Sequence, residues 1–316
     1  MSSYPATIRI VPSRMLLATD LTELKQTLPI AIGYAKRCKA QLKLLHVFPE
    51  SDDPNRGARS TRRANRAVLE QKAQELLEEA ANKSKRAGVK CTWDLRIGQI
   101  NHVIRQVLDE WQPDRIIVGS SAGSKTRRKL LGSVAEFIFR EAEVPIFAVG
   151  PGAQGSGLPP VKRARVLFAT SLNREAWATT ESVLEFARMH HSRLTMLHVI
   201  PGIAKTHPSG SRVRAYAEQR FREIIAGCAS GTVRPTCMIE KGRIVETILR
   251  VAKEGQFDLI LLGAVSSSSF RRDILPGTAY GVICGAPCPV LFLKEESDPR
   301  MSATTSESRV STNPGR

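Results

Sequence analysis

Aromatic residues make up only 5% of the 316-residue chain, and its six cysteines include no C-x-x-C pair. The first shortage argues against a surface that stacks nucleic-acid bases, because no aromatics interleave with the basic clusters at residues 56–66 and 125–129. The second argues against a disulfide framework or a zinc ribbon. Cys284 and Cys288 stand four apart, but His190 and His191 are far off in sequence, so the cysteines read as small buried hydrophobes. No run of about 18 apolar residues is present to cross a bilayer, and residues 1–13 lack an apolar signal region, so a soluble cytoplasmic protein is expected with no membrane partner. Also missing are a Walker A loop, H-E-x-x-H, H-x-G-H and G-x-S-x-G, which leaves no catalytic residue to name and no metal ligand set. His46 and His198 have no Ser or Cys nucleophile near them in sequence, and each sits at the same place beside a strand end.

Negative charge is the remaining scarcity: 30 acidic residues stand against 47 basic ones, for a net charge of +17 and a pI of 10.1. That balance suits an anionic metabolite, nucleic acid or anionic lipid. The charge is spread along the chain, which favours a solvated surface that attracts a nucleotide over a dedicated nucleic-acid reader.

The chain does have length and 42% hydrophobic residues, enough for two domains of roughly 150 residues each. Apolar runs at residues 15–19, 42–47, 116–118 and 146–149 predict strands, and residues 91–97 can form another. Between them, residues at helical spacing predict helices: Leu28, Ala31, Ile32 and Ala35 with Pro29 in the first turn, then Leu69, Ala73, Leu76, Leu77 and Ala80 up to Gly88, then Ile100, Val103, Ile104, Val107, Leu108 and Trp111. This alternation predicts an α/β fold with a doubly wound parallel sheet. Residues 150–160, GPGAQGSGLPP, read as a linker, and then the pattern restarts. RVLFAT at 165–170 answers RMLLAT at 14–19, LTMLHV answers LKLLHV, and FDLILLG answers PDRIIVG. Gly98 to Asp114 and Gly242 to Asp258 are both 16 apart, and Gly119 to Pro145 and Gly263 to Pro289 are both 26 apart. Two conserved intervals mark a tandem duplication. The expected units are 1–150, a linker at 151–160, 161–296, and a tail at 297–316 too poor in apolar residues to fold.

The most informative stretch is residues 114–149, DRIIVGSSAGSKTRRKLLGSVAEFIFREAEVPIFAV. Gly119 lets the backbone turn off a strand end, and Gly132-Ser133 presents bare amides, a hydroxyl and the positive end of a helix whose apolar face is Val134, Phe137 and Ile138. The spacing Gly119, two residues, Ala122, nine residues, Gly132-Ser133 resembles the G-x2-G-x9-G-[S/T] phosphate loop of the universal stress protein family, with alanine at the second glycine. The resemblance to a tandem member covers residues 14–295.

It implies a Rossmann-like domain with strand order 3-2-1-4-5 in each half, and a ligand crevice where that order reverses, beyond the carboxyl ends of strands 1 and 4. By the resemblance, Asp20 holds the ribose or adenine end of ATP, Ala18, Val47 and Val118 line the adenine slot, and Gly119, Ala122, Gly132, Ser133 and Val134 wrap the phosphates, with or without Mg. Asp20 also reads as a plain helix cap. Lys125, Arg127, Arg128 and Lys129 read equally as phosphate contacts or as a solvated loop. If the position of Ala122 needs a positive φ, alanine costs about 1 kcal/mol there. In the second half Ser171 replaces the aspartate, Ser266 the second glycine, and Pro276-Gly277 stands in register with Gly132-Ser133, so that site reads as degenerate.

The expectation is a nucleotide-binding stress-response sensor or regulator, not an enzyme, with any ATP hydrolysis or self-phosphorylation slow. The resemblance implies that the two halves pair as an intramolecular pseudo-dimer through their last strands, and that the chain can pair again as a homodimer. The competing reading is a scaffold that binds no nucleotide and acts through its basic surface on protein or nucleic acid. An adenylating or nucleotidyl-transferring enzyme comes third, for want of its signatures.

Overall fold

A computed structural model describes residues 11–48, 59–119, 133–153, 164–173, 176–202, 210–228, 233–263 and 277–293, with the backbone alone at 59–65, 133, 178 and 210. The first half runs β1 (Arg14–Ala18), α1 (Leu24–Cys38), β2 (Gln41–Phe48), α2 (Arg59–Arg86), β3 (Cys91–Ile97), α3 (Ile100–Trp111), β4 (Arg115–Gly119), α4 (Ser133–Glu141), β5 (Ile146–Val149). The second repeats it: β6 (Arg165–Ala169), α5 (Ala176–Met189), β7 (Arg193–Pro201), α6 (Gly210–Gly227), β8 (Thr236–Gly242), α7 (Ile244–Glu254), β9 (Leu259–Gly263), α8 (Gly277–Gly285), β10 (Val290–Leu293). The central strands are apolar without alternation because helices cover both faces; Ile146 to Val149 and Val290 to Leu293 are buried at every position.

The strand order is β3-β2-β1-β4-β5-β10-β9-β6-β7-β8. Each half therefore has the order 3-2-1-4-5, parallel throughout. The two five-stranded sheets fuse into one of ten strands through the antiparallel pair β5 and β10, with Ala148 opposite Val290, Phe147 opposite Leu291 and Ile146 opposite Phe292. The tandem halves thus make an intramolecular pseudo-dimer joined by their last strands. One core lies between the sheet and α1, α2, α5 and α6, the other between the sheet and α3, α4, α7 and α8. Both continue across the seam, where Phe139 of the first half meets Phe292 of the second edge-on at 5.2 Å.

The duplication is also written in the backbone. Positive φ recurs at equivalent places: Leu21 and Leu172, Lys39 and His191, Gln112 and Gln256, Gly98 and Gly242. Asp114 accepts from the amides of Ser13 and Arg14 and Asp258 from that of Arg165, so each half ties the start of its fourth strand to the start of its first by one carboxylate.

Some expectations need correction. The buried stripe of α2 is Ala73, Leu77, Ala80, Ala81 and Ser84, whereas Leu69 is 54% exposed and Leu76 36%. The leucine spacing is helical, but the face of α2 that meets the sheet is the one carrying Ala73, Leu77, Ala80, Ala81 and Ser84, and Leu69 and Leu76 lie off it. α1 begins at Leu24, four residues before the first apolar position used to place it, so Pro29 lies inside the helix beyond its first turn. Cys91, Cys228 and Cys288 are buried and Cys38 and Cys284 partly so, but Cys237 is exposed on the edge strand β8. Ser133, whose place before the apolar face Val134, Phe137 and Ile138 suits an N-cap, is instead the first residue of α4. Most of the linker and all of the tail lie outside the described residues.

Candidate functional site

The order reverses between β1 and β4, which pair in register with Ala18 beside Val118. Just beyond these ends lie Asp20 and Gly119. Ala18, Val47 and Val118 are buried together on one sheet face, in the same core as Val103, Ile104 and Val107 of α3 and Ile138 of α4. Val134 packs half-buried against that core. The side chain of Ser133, and Ala122, Gly132 and the cations Lys125, Arg127, Arg128 and Lys129, fall outside the described residues.

A short turn shapes the acidic lip. Leu21, at φ 72°, donates its amide to Thr19 Oγ1 at 2.9 Å, and Thr22 donates its amide and hydroxyl to Asp20 Oδ1 at 2.9 and 2.6 Å. Asp20 thus organises the turn before α1 without capping the helix, whose N-cap position is Glu23, and its carboxylate is exposed.

Sequence reasoning missed Glu23. Its side chain lies across Gly119 so closely that a Cβ on that glycine would meet Glu23 Cγ at 2.1 Å. Burial, then the hydrogen bond and the charge of Asp20, push its carboxyl up to about 7. A D-x-x-E at a strand-to-helix turn was the only available signal, and it reads equally as ordinary helix-start acidity. Glu23, a half-buried side chain, therefore occupies the space over Gly119.

The equivalent crevice in the second half is open. A cavity of about 470 Å³ lies at the ends of β6 and β9, floored by Ala169, Val199 and Leu262, the counterparts of Ala18, Val47 and Val118. Thr278 and Ala279 of α8 and Ile244 and Ile248 of α7 complete its wall, and Ser171 stands where the first half has Asp20. His198 lines it too, with Nδ1 donating to the Thr170 carbonyl at 2.9 Å; His46 makes the same bond to the Thr19 carbonyl at 2.8 Å. A carbonyl can only accept, so both rings carry hydrogen on Nδ1, and the shared histidine ties the second strand of each half to the end of the first. Among the described residues no group of three or more His, Cys, Asp or Glu is placed to hold a metal ion.

A sequence model of the universal stress protein family matches residues 13–150 and again 162–294. The chain belongs to this family. It is 24% identical over 148 residues to universal stress protein Sll1388 of Synechocystis, an alignment covering 43% of this chain and 96% of that protein. A universal stress protein of Archaeoglobus fulgidus superposes with a TM-score of 0.61 at 23% identity, over 90% of this chain and 98% of that one. A functionally unknown protein of Pseudomonas aeruginosa superposes with a TM-score of 0.56 at 19% identity, over 90% and 93%. Identities this low establish the shared fold.

For a tandem universal stress protein, the arrangement brings together Ala18, Asp20, Val47, Val118, Gly119 and Val134 in one half. A cavity nevertheless opens in the other half, where the sequence pointed to loss.

Proposed function

We propose that this universal stress protein is a cytoplasmic nucleotide-binding regulator, taking ATP or a related adenine nucleotide, with or without Mg, in the crevice of its first half. The carrying observation is the meeting of Asp20 and Gly119 at the carboxyl ends of neighbouring strands β1 and β4, above a buried apolar floor. Ligands of open α/β sheets bind at such a reversal. In this reading Ala18, Val47 and Val118 pack on the base and Asp20 accepts from the ribose hydroxyls. Gly119, Ala122, Gly132, Ser133 and Val134 supply amides and a hydroxyl to the phosphates. In this reading binding rather than turnover is the activity, because the sequence carries no Walker A loop, H-E-x-x-H, H-x-G-H or G-x-S-x-G.

The test is to denature the purified protein and assay released adenine nucleotide, then titrate ATP against wild type, Asp20→Ala and Gly132→Val. Saturable binding weakened at least about tenfold in both variants supports the reading. Equal binding by all three proteins removes the site, and no binding together with salt-sensitive retention on nucleic acid transfers the function to the basic surface.

A further inference from the structure

We infer that the crevice of the second half is a separate binding site for an uncharged, largely apolar small molecule. Its volume of about 470 Å³ is that of a ligand site rather than a packing defect. None of its described lining residues is Asp, Glu, Lys or Arg. A ligand seated here lies against mostly apolar wall, which favours a neutral molecule over a triphosphate. Where the first half has the carboxylate of Asp20 at its lip, this crevice carries Ser171.

The walls specify the ligand further. Leu197, Val199, Ile248, Leu262 and Phe292 give an apolar interior, and Ile244, 39% exposed, extends it to the mouth. Exposed isoleucine at a cavity rim is costly to leave hydrated and is covered when a hydrophobic molecule is seated. Because His198 Nδ1 is committed to the Thr170 carbonyl, Nε2 is the ring atom left to accept a hydrogen bond. The preferred ligand is thus a neutral aromatic or branched aliphatic molecule carrying a hydroxyl or N–H donor. The site stands whether or not the first half binds nucleotide.

The probes are 2-naphthol, adenosine and ATP, titrated by fluorescence or calorimetry against the full chain, Ala169→Phe, Ile244→Glu and Asp20→Ala. The expected result is saturable 2-naphthol binding at one site, weakened at least about tenfold by Ala169→Phe, which fills the floor, and severalfold by Ile244→Glu, whose exposed position keeps the fold intact. Binding unchanged in Asp20→Ala and in the presence of saturating ATP separates this site from the first. Failure of wild type to saturate, or equal affinity in Ile244→Glu, overturns the inference. So does displacement of 2-naphthol by ATP in the Asp20→Ala protein, which would make the second crevice the nucleotide site; displacement by adenosine alone is consistent with a neutral ligand.

Discussion

Glu23 lies between Asp20 and Gly119, and ionising it places a second negative charge in a partly buried corner. Its folded pKa of about 7 lies above the ordinary 4.5, so the folded state binds the proton more tightly than the unfolded chain. Glu23 therefore supports folding fully below pH 4.5 and that support is lost as pH rises through 7. Allowing for screening at a group with some solvent access, the loss is about 2 kcal/mol. Glu23→Gln keeps the shape and removes the titration, so denaturant midpoints for wild type relative to this variant should fall between pH 5 and pH 7.5; parallel curves would sink the idea. The same charge faces an incoming triphosphate. ATP affinity should drop more steeply from pH 6 to pH 8 in wild type than in Glu23→Gln, the comparison cancelling the titration of ATP itself.

At the scale of elements, the connection from the third strand to the third helix recurs in both halves on a glycine, at φ +152° for Gly98 and +155° for Gly242. A Cβ at Gly242 would also stand 2.6 Å from Thr247 Oγ1. Gly242→Ala is expected to lower stability by about 1–3 kcal/mol, read by urea unfolding, from strained φ and this contact together. On α2 the pattern divides: Leu77→Ala should cost about 2–5 kcal/mol because the residue is wholly buried, while Leu69→Ala, half exposed, should stay within about 0.5 kcal/mol. The leucine pair also marks how far the sequence could be read. Strands such as β1, β4 and β5 were legible because a strand covered on both faces must be apolar along its length, and the halves because equal intervals survived. Which leucines of a long amphipathic helix touch the sheet depends on where the helix crosses it, and spacing does not encode that. The acidic lip was half legible for a related reason. Asp20 follows from its place after β1, but the rotation that lays Glu23 over Gly119 is a tertiary fact, as is the opening in the second half. The phosphate-loop residues Ala122 and Gly132 fall outside the described residues.

For the whole molecule, a sheet continuous through β5 and β10 and two cores that cross the seam imply that the halves unfold together. His190, at the end of α5 in the second half, reports on that union. Burial, followed by the guanidiniums of Arg115 and Arg37 in the first half, holds its imidazole down at about 4. Arg115 is itself wholly buried, and His190 stacks at 4.5 Å on Phe186 with Nε2 lacking a hydrogen-bond partner. A depressed folded pKa means that the unfolded chain takes up the proton first. The stabilising contribution is complete above pH 6.5 and is lost as pH falls through about 4. This is the opposite slope to that of Glu23, so the two partly cancel between pH 4.5 and pH 6.5 in the intact protein. His190→Phe removes one side of that balance while keeping an aromatic ring in place. Its stability relative to wild type should grow by roughly 1–2 kcal/mol as pH falls from 7 to 4.5, after allowing for screening at a partly accessible ring. Unfolding should remain a single transition throughout. A constant difference across that range would mean that burial and the neighbouring guanidiniums do not hold the His190 imidazole down, and two separate transitions would mean that the seam does not couple the halves.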